Sequence, residues 1–228
     1  MVTLCYDCGN PVSDETREHI PAQCFYAGYS NDYKKNRITV PACRTCNENY
    51  SKIDQHFRDA IGVKNDNNAD AAELTRKSVS SILRSSNWQD KLVIINGKVK
   101  VVAFDYVDIE KIQVKNFKGI FFSEFGFPLP QNFEVNVIIE GEKEEANSKE
   151  LISGVMAVLM KDQNWKVSGN EKIFKYIIKS LDQETDKSIT IKDTKFFAAV
   201  MDYHESISCL IIAQKNNAAN SDSYVIGR

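Results

Sequence analysis

The sequence predicts an α+β chain built as two unequal modules, a small one over residues 1–62 and a larger α+β one over 71–228. Three observations predict it. Two Cys-x-x-Cys pairs, Cys5 with Cys8 and Cys43 with Cys46, bracket the first module. Residues 63–70 (Val-Lys-Asn-Asp-Asn-Asn-Ala-Asp) carry no periodic apolar signal and read as a linker. Beyond them, helical and alternating apolar patterns follow one another almost to the C-terminus.

The first module opens as a short knuckle over residues 1–12, where Gly9 supplies the left-handed turn behind Cys5 and Cys8. Residues 17–27 and 36–42 read as short strands, separated by a polar, locally basic loop over 28–37. A helix is expected from about Arg44 to Ile61, stopped by Gly62. Two-residue gaps let each cysteine pair wrap one side of an ion, and four thiolates close a tetrahedral zinc shell. Redox pairs or unconnected thiols are the alternative reading of the same cysteines. The 34 residues between Cys8 and Cys43 exceed the usual gap of about 15–20, so an insert separates the two halves of the site. A module near 60 residues buries too little surface to be secure alone. A structural Zn²⁺, contributing roughly 10–16 kcal/mol, would hold it together.

In the second module, residues 71–86 read as a helix and 92–102 as a hairpin, because Asn96-Gly97 favours a type I′ turn. Asp108–Glu124 reads as a helix, Asn132–Ile139 as an alternating strand and Ser148–Lys161 as a helix with a serine cap. Strands are expected at 165–167, 173–179, 196–201 and 206–213, and the tail from Asn216 is polar. There is no internal repeat, Gly-rich phosphate loop or nucleophile elbow. A homodimer through this module is one use it could serve.

Composition excludes some classes. With 43% hydrophobic and 26% charged residues the chain can build a core, and no apolar run approaches the ~18 residues of a membrane span. Six cysteines are too few for a disulfide scaffold, and the start lacks the features of a secretory leader. A reducing cytoplasm is therefore the expected compartment, which favours zinc over disulfides. The net charge of −2, and of −1 over residues 1–62 (seven Lys/Arg against eight Asp/Glu), confines any phosphate contact to a local patch or a bound cation.

Glu18-His19 lies in the insert. On the helical wheel Tyr50, Ile53, Phe57 and Ile61 share a core stripe, with Asn47, Ser51, Asp54 and Arg58 on a polar stripe beside it. Cys46 anchors the helix start, so Asn47 is held near the insert. A carboxylate, an imidazole and an amide converging on one spot can hold a hard divalent cation and activate water. Asp54 is a further candidate ligand. His56 projects away from the polar stripe and reads as a surface residue. Cys24 and Cys209 read as buried thiols, and His204 as a turn residue.

The order Cys-x-x-Cys, Thr-Arg-Glu-His-Ile-Pro, Ile-Thr-Val-Pro-Ala-Cys-x-x-Cys-Asn, Ser-x-x-Asp-x-x-Phe-Arg, running from Cys5 to Arg58, resembles the zinc-finger-containing HNH endonucleases. The resemblance implies a treble-clef, ββα-metal finger at the N-terminus. It implies Glu18 and Asn47 as ligands of a catalytic Mg²⁺ or other divalent cation, with His19 as general base. Glu18 stands where the family more often has Asp, and the middle Asn of the motif has no clean match. The activity implied is metal-dependent hydrolysis of phosphodiester bonds in nucleic acid, DNA first, with Arg58, Lys34, Lys35 and Arg37 as candidate phosphate contacts. The competing expectation is a non-catalytic zinc module that binds nucleic acid or a protein partner.

Overall fold

The structure, a computed structural model, describes residues 2–64, 71–84, 92–95, 98–102, 106–139, 146–182 and 194–216. It is a mixed helix-and-sheet fold of the α+β class. The chain opens with the knuckle, whose turn is closed by the Gly9 N–H donating to the Cys5 carbonyl at 3.0 Å, with Gly9 at φ +74°. An antiparallel hairpin follows, β1 (Glu15–Ile20) against β2 (Ile38–Cys43), in register from Glu15 opposite Cys43 to Ile20 opposite Ile38. Beyond β1 the chain turns through a cis Ile20-Pro21 bond into a 3₁₀ turn at Gln23–Tyr26, so the first strand ends earlier than the sequence suggests.

The helix expected from Arg44 is two helices, α1 (Arg44–Asn49) and α2 (Ser51–Lys64), broken at Tyr50. Nor does Gly62 stop it. A side chain there would sit 2.2 Å from Ser78 Oγ, so this glycine lets the next helix, α3 (Ala72–Arg84), pack against α2. Val63 and Lys64 thus belong to α2, and residues 65–70 of the expected linker lie outside the described residues.

A second hairpin, β3 (Leu92–Ile95) with β4 (Lys98–Val102), precedes α4 (Tyr106–Phe125). The remaining elements are β5 (Phe133–Ile139), α5 (Ala146–Met160), β6 (Lys166–Val167), β7 (Phe174–Ser180), β8 (Phe196–Tyr203) and β9 (Ile207–Lys215). The five strands form one antiparallel sheet in the order β5-β9-β8-β7-β6.

The period-two rule divides this sheet cleanly. On central β8, Phe197, Ala199, Met201 and Tyr203 join the cluster containing α4, while Ala198 and Val200 join the one containing Val155 and Leu159 of α5. Both faces of β8 are apolar because both are covered.

The larger cluster does not stop at the linker. Tyr6, Ile20, Phe25, Phe57 and Ile61 of the first module share one core with Ile112, Phe117, Phe121, Phe174 and Tyr203. The Tyr203 ring lies 5.9 Å from that of Phe25 and 5.4 Å from that of Phe57. Helix α4 makes the junction close: a side chain at Gly119 would come within 2.4 Å of Ile20 Cδ1. No described helix is long and apolar enough to cross a membrane.

A candidate metal centre and the charged cluster beside it

The knuckle and the start of α1 bring Cys5, Cys8, Cys43 and Cys46 together, with all four sulfurs within 4.8 Å of one another. Sulfurs about 2.3 Å from a common ion lie about 3.8 Å apart, so the cluster fits a tetrahedral metal ion such as zinc. Cys5 and Cys46 are buried, and Cys8 and Cys43 half-buried. The Cys46 N–H at the helix start bonds to Cys43 and lowers its thiol pKa, while burial raises those of Cys8 and Cys46. A bound divalent cation would offset that burial.

Hydrogen bonds to β2, α4 and the α1–α2 break tie the knuckle down. Its Tyr6 N–H donates to the Pro41 carbonyl of β2 at 2.9 Å, and its Asp7 carboxylate accepts from Lys118 Nζ of α4 at 2.7 Å. The Tyr50 hydroxyl at the break between α1 and α2 donates to the same carboxylate at 3.3 Å.

The other site residues do not converge as expected. Consecutive strand residues point to opposite faces, so Glu18 and His19 cannot share a site on β1. Thr16, Glu18 and Ile20 turn inward, whereas Arg17 and His19 turn outward. Asn47 reaches Thr16 instead: its Nδ2 donates to Thr16 Oγ1 at 3.0 Å, and that hydroxyl donates to the Ala42 carbonyl at 2.9 Å. It braces hairpin to helix.

Glu18 meets a residue that sequence reasoning missed. Lys115 of α4 is fully buried, with Nζ 2.9 Å from Glu18 Oε1 and 2.5 Å from Asp54 Oδ2. The Tyr50 ring lies 5.3 Å from the ammonium. Burial works to lower the Lys115 pKa, but the two carboxylates outweigh it and raise it, so the lysine is cationic. Burial raises the pKa of Glu18 and of Asp54 against the pull of Lys115. One ammonium does not fully compensate two buried carboxylates, and Asp54 Oδ1 has no partner. The sequence carried one signal: Lys115 interrupts an otherwise apolar helical stripe, three residues after Ile112 and four before Gly119.

A catalytic divalent ion on Glu18, Asn47 and Asp54 does not fit these residues as arranged. Lys115 occupies the two carboxylates, and the amide of Asn47 is bonded to Thr16.

Arg58 is corrected as well. It is 8% exposed and pairs with Asp59 at 2.7 Å: of the polar stripe on α2, Ser51 is exposed but Asp54 and Arg58 are buried. Burial raises the pKa of Asp59, against the pull of Ser81, Arg58 and Ser78 beside it.

The outer face of the hairpin is less enclosed, although His19 Nδ1 and Arg37 Nη1 are themselves buried there without a hydrogen-bond partner among the described residues. His19 is half-buried there, and burial together with the nearby charge of Arg37 lowers its pKa and keeps the imidazole neutral. Arg37 is held in place by Nε donating to the Lys34 carbonyl at 3.1 Å and by the Tyr26 ring at 5.2 Å. Gly169, at φ +73°, lets the loop after β6 close over it; a side chain there would strike Tyr26, the Tyr33 carbonyl and Arg37. Lys34 is half-buried, and Lys35 is exposed in a pair with Asp32 at 2.7 Å.

Cys209 is buried as expected; His204 lies in the expected turn but is buried there; and Cys24, expected to be buried, is half-buried with its thiol pushed up to about 12 by burial. Comparison of the chain with known protein families, with characterised proteins and with solved structures returns no match.

Proposed function

We propose that the chain is an endonuclease carrying an HNH-like motif, hydrolysing phosphodiester bonds in nucleic acid, DNA first, in the cytoplasm, at the outer face of its zinc-held hairpin rather than at the Glu18–Asn47 metal site that the motif implies. The observation that carries this reading is the neutral, partly exposed His19 beside the fixed guanidinium of Arg37. A neutral imidazole can take the proton of an attacking water, and an adjacent guanidinium can hold a phosphate and offset charge developing on it. Lys34 and Lys35 follow on the same loop and would extend the contact along the backbone. The Cys5–Cys8–Cys43–Cys46 shell, with its ion bound, does no chemistry and sets the frame.

The closed arrangement of Glu18, Asp54 and Lys115 favours a second reading, in which the finger binds nucleic acid or a protein partner without cutting.

Cleavage assays on plasmid, single-stranded DNA and RNA, each with Mg²⁺, Mn²⁺ or Ni²⁺, decide between them. Wild type should cut at least one substrate. His19→Ala should lower the rate about 10²–10⁴-fold while keeping zinc content and helix content. If wild type cuts nothing under any of these ions but still binds, the second reading stands.

A further inference from the structure

His19 and Arg37 stand at the end of the β1–β2 hairpin that a loop of the larger half clasps. In the hairpin register Thr39 is opposite His19, and Ile38 is opposite Ile20. Two residues before Thr39, Arg37 stands diagonally across from His19, close enough for its charge to act on the imidazole. Arg37 precedes β2, which begins at Ile38, so the strand ladder itself does not fix it.

What closes that end is Ser168, a fully buried residue immediately after β6. Its hydroxyl accepts from the Ile38 N–H at 2.9 Å and donates to the Ile20 carbonyl. The residue after Arg37 is thereby joined to the residue after His19. The Ser168 carbonyl accepts from the Tyr26 hydroxyl at 2.6 Å, and the Tyr26 ring is the one beside the Arg37 guanidinium. Next in the chain, the Gly169 N–H donates to the Asn36 carbonyl at 3.3 Å. A side chain on Gly169 would lie 3.0 Å from Arg37 Cγ, so the turn seats directly against that arginine. These bonds go to backbone groups and to Tyr26, and they leave His19 Nδ1 and Arg37 Nη1 unpartnered among the described residues.

We propose that Ser168 and Gly169 are positioning residues for the outer-face site: the two bonds of the Ser168 hydroxyl and the close approach of Gly169 set the separation of His19 and Arg37. Resting on the reading that His19 and Arg37 act together, this gives the larger half of the chain a part in the site. Reacting groups held by a supporting shell lose about 100-fold in rate when misplaced by about 1 Å. Without the hydroxyl, the Ile38 N–H and the Ile20 carbonyl are left unpaired in a buried place, and the hairpin end has to rearrange.

Two readouts on the zinc-loaded full chain test it. The first is the titration of His19, followed by its imidazole proton resonance and assigned by the loss of that signal in His19→Ala. Burial and the Arg37 charge both lower the His19 pKa. Ser168→Ala should raise it toward 6.5 in the presence of Arg37, and should leave it unchanged in an Arg37→Met background. No rise in Ser168→Ala, or an equal rise in both backgrounds, would overturn the proposal. The second readout is the cleavage rate at saturating substrate. Ser168→Ala should lower it about 10–100-fold while keeping zinc and helix content, and an unchanged rate would overturn the proposal. If wild type cuts no substrate, the nuclease reading fails, and the His19 titration alone decides the positioning. If Ser168→Ala does not fold, Gly169→Ala replaces it. It leaves the hydroxyl in place and presses on Arg37, so it should shift the His19 titration only while Arg37 is present; no shift, or an equal shift without Arg37, overturns the proposal.

Discussion

His204 shows what a single buried ring contributes at the residue scale. It sits in the β8–β9 turn at φ +53°, 2% exposed, with Nδ1 3.2 Å from the Tyr29 hydroxyl of the finger insert. Burial lowers its pKa from 6.5 to about 4. A histidine depressed in the folded state contributes stability that is complete above the unfolded pKa. That stability is lost as pH falls from about 6.5 toward 4, where the unfolded chain binds the proton first. The shift corresponds to about 3 kcal/mol over that window. His204→Asn, which tolerates the left-handed turn, should flatten the pH dependence of the denaturation midpoint between pH 6.5 and 4 relative to wild type. The carboxylates common to both proteins cancel in that comparison. Zinc gives the other residue-scale expectation. Elemental analysis should find one per chain, and Cys43→Ser should lose it and unfold the hairpin by circular dichroism.

At the scale of elements, α4 decides how the two halves meet. Its Lys115, Lys118 and Gly119 lie on one side of the helix, which so carries three ion pairs, to Glu18, Asp54 and Asp7, and a close approach to Ile20. Gly119→Ala should force Ile20 aside and cost about 1–3 kcal/mol in chemical denaturation. Ile20→Val removes the Cδ1 atom that the new methyl would strike, so the double variant should recover part of the loss. A simple sum of the two single effects would show that the close approach does not matter.

For the whole molecule, the shared core predicts joint folding. A fragment beginning near Asn68 would lose Phe25, Phe57 and Ile20, which share one core with Ile112, Phe117, Phe174 and Tyr203 in the intact chain. It should give a poorly dispersed amide spectrum, and adding zinc-loaded residues 1–64 should restore dispersion. A well-dispersed fragment on its own would show that the larger half has a sufficient core without the finger.

Local chemistry by itself determined a good deal of this protein. The Cys-x-x-Cys spacing located the candidate metal centre, and period-two and helical periodicity placed β2, α3, α4 and the strands of the large sheet to within a few residues. Those signals are short-range, because ligand gaps and side-chain periods are properties of a few consecutive residues. The motif order also suggested that Glu18, His19 and Asn47 would converge on one spot. Only the tertiary structure decided which way each one points. Strand alternation sends Glu18 inward and His19 outward, and a lysine 97 positions beyond Glu18 meets its carboxylate. Burial of Arg58, the use of Gly62 and the joining of two halves into one core have the same origin. Each depends on what a distant element brings against that face, and neither spacing nor propensity within a segment contains that information.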